Sequence, residues 1–424
     1  MPESTATPVK PARARKAAQA PATTPPEHNR LDTSLSAIIQ FFSSLKLTVV
    51  CLALGLVLVF AGTLAQVDLG LYKAQNDFFR SLFVYWTPKG SSLRIPVFPG
   101  GYLIGGVLLI NLVTAHFTRF KWSRKKIGIW MVHIGLILLV MGQFGTDMLS
   151  VESAMQLTEG ESRNYSEAFR DNELALIDKS NPETDLVYSI PESLLVKKGE
   201  IHDGRLPFTL RLKSHWVNSR LVAPRDQMPP GAIPSGATAG LLSSVALVPE
   251  PPVTDTDSRN TPSLVVEISN GKESLGSFLA SGYTTMSQGF TAGGKSYEIA
   301  LRPTRHYYPF TLTLLKATHE QYKGTDIPKN FASRVRVQYP ERNEARETVI
   351  YMNNPLRYAG LTFFQYQMAA GEMAERRGLP PSSTFQVVRN PSWLTPYVSC
   401  VMISLGLVVQ FLTHLVGFVR RRTV

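Results

Sequence analysis

Residues 127–146, IGIWMVHIGLILLVMGQFGT, form a run of 20 residues without a charged side chain, bounded by a lysine and an aspartate. A helix needs about 20 apolar residues to cross a bilayer, so this run predicts a membrane span. Two comparable runs precede it, at about 47–67 and 100–118, and a fourth lies within 393–418. Four such runs are not expected of the buried helices of a soluble protein. They predict a helical membrane bundle with three spans before one large domain and one span after it.

The totals of the 424-residue chain exclude several classes of protein. Charged residues make up 18% of the chain, below the roughly 25% typical of soluble domains. The two cysteines, Cys51 and Cys400, are too few for a disulfide framework or a cysteine-rich metal site and too far apart for a CxxC pair. The sequence contains no CxxCH motif, so the chain does not attach c-type haem to itself, and it has no glycine-rich phosphate loop.

The net charge of +12 is interpreted from where the basic residues lie. They are concentrated in the N-terminal head, in the link between spans two and three, and in the tail at 419–424. Alternating spans place these three segments on one side, which the positive-inside rule identifies as the cytoplasm. The sequence therefore predicts a multi-pass membrane protein with both termini in the cytoplasm, and not a nucleic-acid-binding protein. Residues 1–44, rich in proline, alanine and threonine near their start, are predicted to form a disordered cytoplasmic tail.

Residues 147–392 are predicted to form one extracytoplasmic β-rich domain, similar to a sandwich or barrel. Residues 222–262 interrupt its strand pattern with Pro-Pro-Gly, Pro-Ser-Gly and Pro-Glu-Pro-Pro segments, which indicate a flexible insertion. A spacer is favoured there over a partner-binding arm. Short alternating or β-branched runs support the sheet, at 208–212, 263–268, 297–301, 310–314, 334–338 and 362–366.

Three histidines, His116, His133 and His414, lie in or near the spans, where ionisable side chains are costly and usually functional. His133 follows Lys126 by seven residues and His414 precedes Arg420 by six, which places both roughly 9–10 Å from those charges. A shared metal or haem is one interpretation. A helix–helix hydrogen bond for His133, or a side chain of His414 that reaches the headgroups, is the other. His116, three residues from Arg119, is assigned to the interface.

Several stretches, in their order along the chain, resemble the ResB/CcsB family of the type II (system II) cytochrome c maturation system. The clearest is 352–365, MNNPLRYAGLTFFQ, which contains Asn354, Pro355, Leu356, Arg357, Gly360 and Gln365. In this motif Pro355 and Gly360 are predicted to fix a turn that leads back into a strand. For Arg357, a salt bridge within the domain is favoured over a contact with a haem propionate. The other stretches are 42–48 (FSSLKLT), 61–64 (AGTL), 133–138 (HIGLIL) and 157–162 (LTEGES).

The resemblance implies a subunit that works with a CcsA-type membrane partner to move haem outward and attach it to the CxxCH motif of apocytochrome c. It implies haem b as a transported or transiently bound cofactor, with His133 as an iron ligand, in the bacterial inner (plasma) membrane. The residues around His414 depart from the family's usual end of the fourth span, so the second ligand is either His414 or a group of the partner. It also implies a non-catalytic or co-catalytic role in a haem lyase complex. The partner's tryptophan-rich motif is missing, since the five tryptophans are scattered at Trp86, Trp122, Trp130, Trp216 and Trp393.

Two other functions stay open on the residues alone. A b-type haem at His133 and His414 would suit an electron-transfer subunit of a respiratory complex. A membrane-anchored scaffold without a cofactor would need neither histidine as a ligand.

Overall fold

The computed structural model describes residues 28–422 except 89, 92, 120–122, 224–227, 257, 272, 323–327, 371–377 and 379. Residues 1–27 of the predicted tail, Trp122 and the last two residues therefore lie outside the described part. The helices are α1 (His28–Phe42), α2 (Leu45–Leu69), α3 (Leu71–Ala74, continued by a π turn at Gln75–Phe79), α4 (Gly101–Arg119), a 3-10 turn (Arg124–Lys126), α5 (Ile127–Leu149), α6 (Glu192–Lys198), a 3-10 turn (Pro340–Arg342) and α7 (Thr395–Arg422).

The strands are short except for two in the middle of the largest sheet. They are β1 (Phe83–Trp86), β2 (Ile95–Pro99), β3 (Val151–Thr158), β4 (Ser162–Asp178), β5 (Leu186–Pro191), β6 (Glu200–His202), β7 (Thr209–Trp216), β8 (Ser219–Val222), β9 (Ile233–Pro234), β10 (Ala246–Pro249), β11 (Ser263–Ser269), β12 (Ser274–Ser281), β13 (Gln288–Ala292), β14 (Lys295–Gln321), β15 (Pro328–Tyr339), β16 (Glu344–Tyr351), β17 (Leu356–Tyr358), β18 (Leu361–Ala369) and β19 (Ser382–Arg389).

Four helices, α2, α4, α5 and α7, are long and apolar enough to cross a membrane. Their boundaries lie within a few residues of the predicted spans, although α5 and α7 continue further at their C-terminal ends. Many of their large apolar side chains are exposed, such as Phe60 at 67% and Phe411 at 67%. In water such exposure would be unfavourable, and in a bilayer it is the expected lipid-facing surface.

Helices α5 and α7 pack so closely that side chains larger than hydrogen do not fit at the contact. A Cβ atom on Gly128 would lie 2.6 Å from the carbonyl oxygen of Gly406, and one on Gly135 would lie 2.6 Å from Ile403. Gly142 faces Thr395 in the same way. Glycines seven residues apart keep one face of α5 against its neighbour, and small residues are typical of tight helix contacts in membranes.

The prediction of a disordered tail is wrong for residues 28–42, which form α1. Its apolar residues recur every three or four positions, at Leu35, Ile38, Ile39 and Phe42, so one face of the helix is apolar. The buried amide of Asn111 on α4 donates to the carbonyl oxygens of Phe42 and Ser44, at 2.6 and 3.0 Å. This polar contact ties the junction between α1 and α2 to α4.

The β-rich domain is built on a ten-stranded antiparallel sheet. Its main path is β16-β15-β14-β4-β3-β19-β18-β17, while β13 pairs with β14 and β5 with β4. An isolated bridge between Tyr351 and Asn354 joins the two ends of that path, so the sheet curls back on itself as a barrel would. The strands predicted from the six short runs are confirmed, with Phe208 just before β7.

The two largest hydrophobic cores in the described part of the domain are connected by the long strands β4 and β14. The membrane-proximal core lies inside the curled sheet and includes Phe310, Phe363 and Phe385. The distal core lies between the β4–β14 end and the four-stranded sheet β12-β11-β7-β6, and includes Leu176, Phe278 and Tyr297.

The prediction that residues 222–262 are a flexible spacer is wrong for their described part. Strands β8, β10 and β9 form a small sheet there, and Leu242 and Leu247 are buried against Val265 and Leu279. Successive side chains of a strand point to opposite faces of the sheet. Leu264 and Val266 of β11 face the distal core, so Val265 between them faces the other side, where Leu242 and Leu247 lie. The segment also reaches the membrane side, where Lys73 donates its backbone N–H to the carbonyl oxygen of Thr254 at 3.4 Å.

Candidate functional site

The hairpin of α4 and α5 brings two histidines and a tryptophan together near its basic connection. His116 lies in the last turn of α4 and is 2% exposed. Its ring centroid is 4.1 Å from that of Trp130 and 5.8 Å from that of His133, both in the first two turns of α5. The 3-10 turn before α5 reverses the chain, so residues 17 positions apart become neighbours. We call these three residues the imidazole cluster.

The hydrogen bond of His133 defines which of its nitrogens carries a lone pair. Its Nδ1 lies 2.8 Å from the carbonyl oxygen of Ile129, one turn earlier in α5. A carbonyl only accepts, so Nδ1–H is the donor, and the neutral ring has its lone pair on Nε2. An N–H donated to a backbone carbonyl is the usual arrangement behind a histidine that ligates a metal through its other nitrogen.

The structure does not place His414 beside His133. Gly135 contacts Ile403, so His133 is level with the middle of α7, whereas His414 lies eleven residues after Ile403, about 16 Å further along the helix. His133 also lies about 140° around α5 from the Gly128 contact, and so faces away from α7. The flanking charges suggested a similar depth, but α7 extends beyond the start of α5 and its arginines mark a different level.

The imidazoles of His116 and His133 are too few ligands for a bare metal ion. They are better suited to a haem iron, which its porphyrin already holds. Among the described residues, no group of three His, Cys, Asp or Glu side chains lies close enough to hold a metal ion. A haem iron needs only one or two axial ligands from the protein, and an imidazole is the commonest. His116 and His133 lie side by side with their ring planes at 27°. If a haem were bound here, His133 would hold its iron, with Trp130 and His116 beside it.

Sequence reasoning assigned His116 to the interface and so missed its part in this cluster. Its distance from Arg119 suggested a side chain in the headgroups, yet it is buried between helices. The signal that could have found it is the hairpin itself, because antiparallel helices with a short link pair the end of the first with the start of the second.

The motif at 352–365 forms two consecutive tight turns. Asn353 has φ = 62°, and it lies in the turn from β16 to β17. Ala359 and Gly360, with φ = 49° and 78°, connect β17 to β18. Two successive positive φ angles are those of a type I′ hairpin turn, whose twist matches that of the strands. The predicted turn at Gly360 is therefore present, and Pro355 lies before β17.

Arg357 and Gln365 make contacts within the chain. The guanidinium of Arg357 lies 4.3 Å above the ring of Trp393, two residues before α7, and donates to the hydroxyl of Thr362 at 3.4 Å. It thereby connects the β17–β18 hairpin to the entrance of the membrane helix through a cation–π contact and a hydrogen bond. The predicted salt bridge is not seen, since no carboxylate of the described residues pairs with Arg357. Gln365 accepts from the buried Ser333 hydroxyl at 2.7 Å and donates to Ser383 at 2.8 Å.

Tyr358, between these residues, shows the one resolved pKa change in the motif. Its side chain is buried and donates to a carboxylate oxygen of Glu344 at 2.7 Å. Burial and then this hydrogen bond raise the pKa of the phenol, because both disfavour a second negative charge at that place. Tyr358 thus remains a neutral donor that holds β17 to β16.

Comparison with known proteins supports the resemblance seen in the sequence. Residues 278–380 match the ResB-like family, a range that runs from β12 through β18 and contains the motif at 352–365. Over 68 residues the chain is 35% identical to Protein NrfI of Wolinella succinogenes, which covers 16% of this chain and 8% of that protein. The resemblance to the ResB family is therefore confirmed within residues 278–380 of the β-rich domain.

Proposed function

We propose that this chain is a membrane subunit of cytochrome c biogenesis, which holds haem in its helical bundle and delivers it to the outer face for attachment to apocytochrome c. The observation that carries the proposal is the ResB-like match within the β-rich domain of a chain with four membrane-crossing helices. A CcsA-type membrane protein is the partner that the ResB family implies, and covalent attachment to CxxCH motifs belongs to that complex.

The proposed orientation places the imidazole cluster in the cytoplasmic half of the plasma membrane. Lys46, Arg124, Lys126 and the arginines that end α7 lie at the helix ends opposite the β-rich domain. Basic residues at that side favour the cytoplasm, with both termini inside and the β-rich domain outside. Haem entering from the cytoplasm would meet the cluster first.

His133 is the proposed axial ligand in this bundle. Its N–H to the Ile129 carbonyl fixes the ring orientation and directs the Nε2 lone pair for an iron atom. Trp130 and the buried His116 lie beside it in an edge-to-face contact, with their ring planes at 74°. Haem supplies the iron and the vinyl groups, and the residues of this chain hold and orient it.

The test is the haem content of the full-length chain, purified with and without its partner. We expect His133→Ala to abolish the histidine-ligated Soret band and to prevent accumulation of holo-cytochrome c, while the apoprotein is still made. His414→Ala is the matched control, because His414 is exposed and distant from the cluster, and it is expected to leave both readouts near wild type.

Normal haem content and normal cytochrome c in the His133→Ala strain would contradict the proposal and favour a scaffold. A stable low-spin haem with a reversible potential in the isolated chain, together with normal c-type haem staining in the deletion strain, would favour an electron-transfer subunit instead.

A further inference from the structure

A second candidate site lies in the β-rich domain, where the sheet meets the membrane helices. A cavity of about 900 Å³ opens there, lined at its base by Val151 and Arg389. These two residues pair across β3 and β19, and they are the first rung of the sheet after α5 and the last before α7. The cavity is therefore at the membrane surface.

An irregularity in β14 makes the space. Between Tyr307 and Leu312 the pairing with β4 shifts from Tyr165 to Arg163, so five residues of β14 are matched by two of β4. The extra residues bulge out of the ladder, as bulges do where a side chain must be redirected. The bulge and the turn at Gly360 form two walls of the cavity.

The lining is basic and aromatic. Arg305, His306, Arg342 and Arg389 contribute to it, and the described residues that line it include no aspartate or glutamate. Its remaining surface is largely apolar or aromatic, from side chains such as Tyr339. Such a combination suits a ligand with an anionic head and an apolar body.

The three arginines differ in how their charge is balanced. Arg305 is paired with Glu167 at 3.1 Å. Within the part of the chain that the structure describes, no carboxylate lies within 4.0 Å of Arg342 or Arg389. Arg342 lies 4.6 Å above the ring of Tyr339, and both residues line the cavity. Two uncompensated guanidinium groups at a membrane surface attract phosphate, which they bind through paired N–H donors.

We propose that this cavity binds the headgroup of an acidic phospholipid of the outer leaflet. The phosphate would lie between Arg342 and Arg389, and the first part of an acyl chain would lie against the aromatic wall. Lipid headgroups are abundant where α5 and α7 leave the bilayer, whereas a soluble anion would have to compete with them. Such a lipid would hold the β-rich domain down on the membrane independently of any haem.

The test titrates the purified full-length protein, in neutral detergent, with phosphatidylglycerol, phosphatidylcholine or inorganic phosphate, with bound lipid counted by native mass spectrometry. We expect phosphatidylglycerol to bind at least about tenfold more tightly than phosphatidylcholine, from about a fivefold gain for each arginine. The double variant Arg342→Gln/Arg389→Gln is expected to lose this preference. Arg334→Gln removes another exposed arginine of the same sheet, outside the cavity, and is expected to keep it.

The charge-preserving double variant Arg342→Lys/Arg389→Lys separates charge from folding, and we expect it to retain most of the preference. Equal binding of phosphatidylglycerol by the wild type and the glutamine variant would overturn the proposal. So would equal binding of the two lipids, or millimolar inorganic phosphate that displaces the lipid and so identifies a free-anion site. Loss of haem instead of lipid in the glutamine variant would also overturn it.

Discussion

The helical bundle and the β-rich domain are stabilised by opposite means. Where α5 meets α7, contact depends on missing side chains, since Gly128 and Gly406 let the two backbones touch. In the membrane-proximal core of the domain, contact depends on large ones, since Phe310 and Phe363 fill the curled sheet. The difference follows from the solvent, because burying a phenylalanine gains much in water and little in lipid.

The comparison predicts that the two regions fail in opposite ways. The core of the domain should be damaged by making a side chain smaller, and the bundle by making one larger. Each region also contains a control position, where the same substitution is expected to have little effect on stability.

The largest effect is expected when the core of the domain is emptied. Phe363 has no exposed surface, and Phe363→Ala should lower the free energy of unfolding by about 3–5 kcal/mol through lost burial and the cavity left behind. The measurement is urea unfolding of the full chain followed by circular dichroism of the β signal. Phe364→Ala is the control, because its side chain, on the opposite face of β18, is 38% exposed. An equal loss of unfolding free energy in both variants would show that the two faces of β18 contribute equally to stability, which contradicts a core on one face.

A smaller effect is expected when the bundle contact is filled. A Cβ on Gly406 would lie 2.8 Å from the Gly128 carbonyl oxygen and 2.9 Å from the Cβ of Met131, so Gly406→Leu must push the helices apart. Overpacking of this kind costs about 1–3 kcal/mol. Thermal stability of the detergent-solubilised chain measures it, with Gly417→Leu as the control, since nothing lies within 4 Å of a Cβ there. A Gly406→Leu protein as stable as the control would mean that α5 and α7 do not pack as described.

Properties that depend on local sequence were predictable. The four spans follow from run length, and the strand at 263–268 follows from a short run rich in β-branched residues. Helix α1 was not predicted, although its apolar residues recur with a helical period. The prediction of disorder followed from the proline, alanine and threonine content near the start of residues 1–44. The sheet in 222–262 was not predictable, because Leu242 and Leu247 are buried against Val265 and Leu279, which belong to strands outside the segment.

The candidate site shows the same limit. His133 was predicted from its position within a span, but its depth relative to His414 was inferred from flanking charges, which do not report how far one helix extends past another. The contact with His116 depends on the hairpin, and the cavity near Arg389 depends on a bulge in β14. Both arise from pairing between segments, which a single sequence does not specify.

The smallest effect concerns an ion pair of the β-rich domain whose carboxylate, Asp178, is buried. Asp178 at the end of β4 accepts from Lys295 at 2.8 Å and from the backbone N–H of Ser180 at 3.0 Å. The hydrogen bond from Lys295, followed by those from Ser180, lowers the pKa of Asp178 from 3.8 to about 2. The native state thus binds this proton more weakly than the unfolded chain does. The stabilisation is complete above the unfolded pKa and is lost as the pH falls from about 4 towards 2.

Asp178→Asn should therefore melt below the wild type at neutral pH, and the gap should close as the pH falls through that window. Melting of the full chain at pH values from 7 to about 2 measures the gap. Asp185→Asn removes a carboxylate that is paired with Lys179 but more exposed, and its gap should be smaller at every pH because solvent screens exposed pairs. If the Asp178→Asn gap instead stayed constant down to the lowest pH, the lost stability would come from packing and not from the charge of this carboxylate. The shape of the side chain at this position, and not its charge, would then contribute to the stability of the domain, as it does in the core.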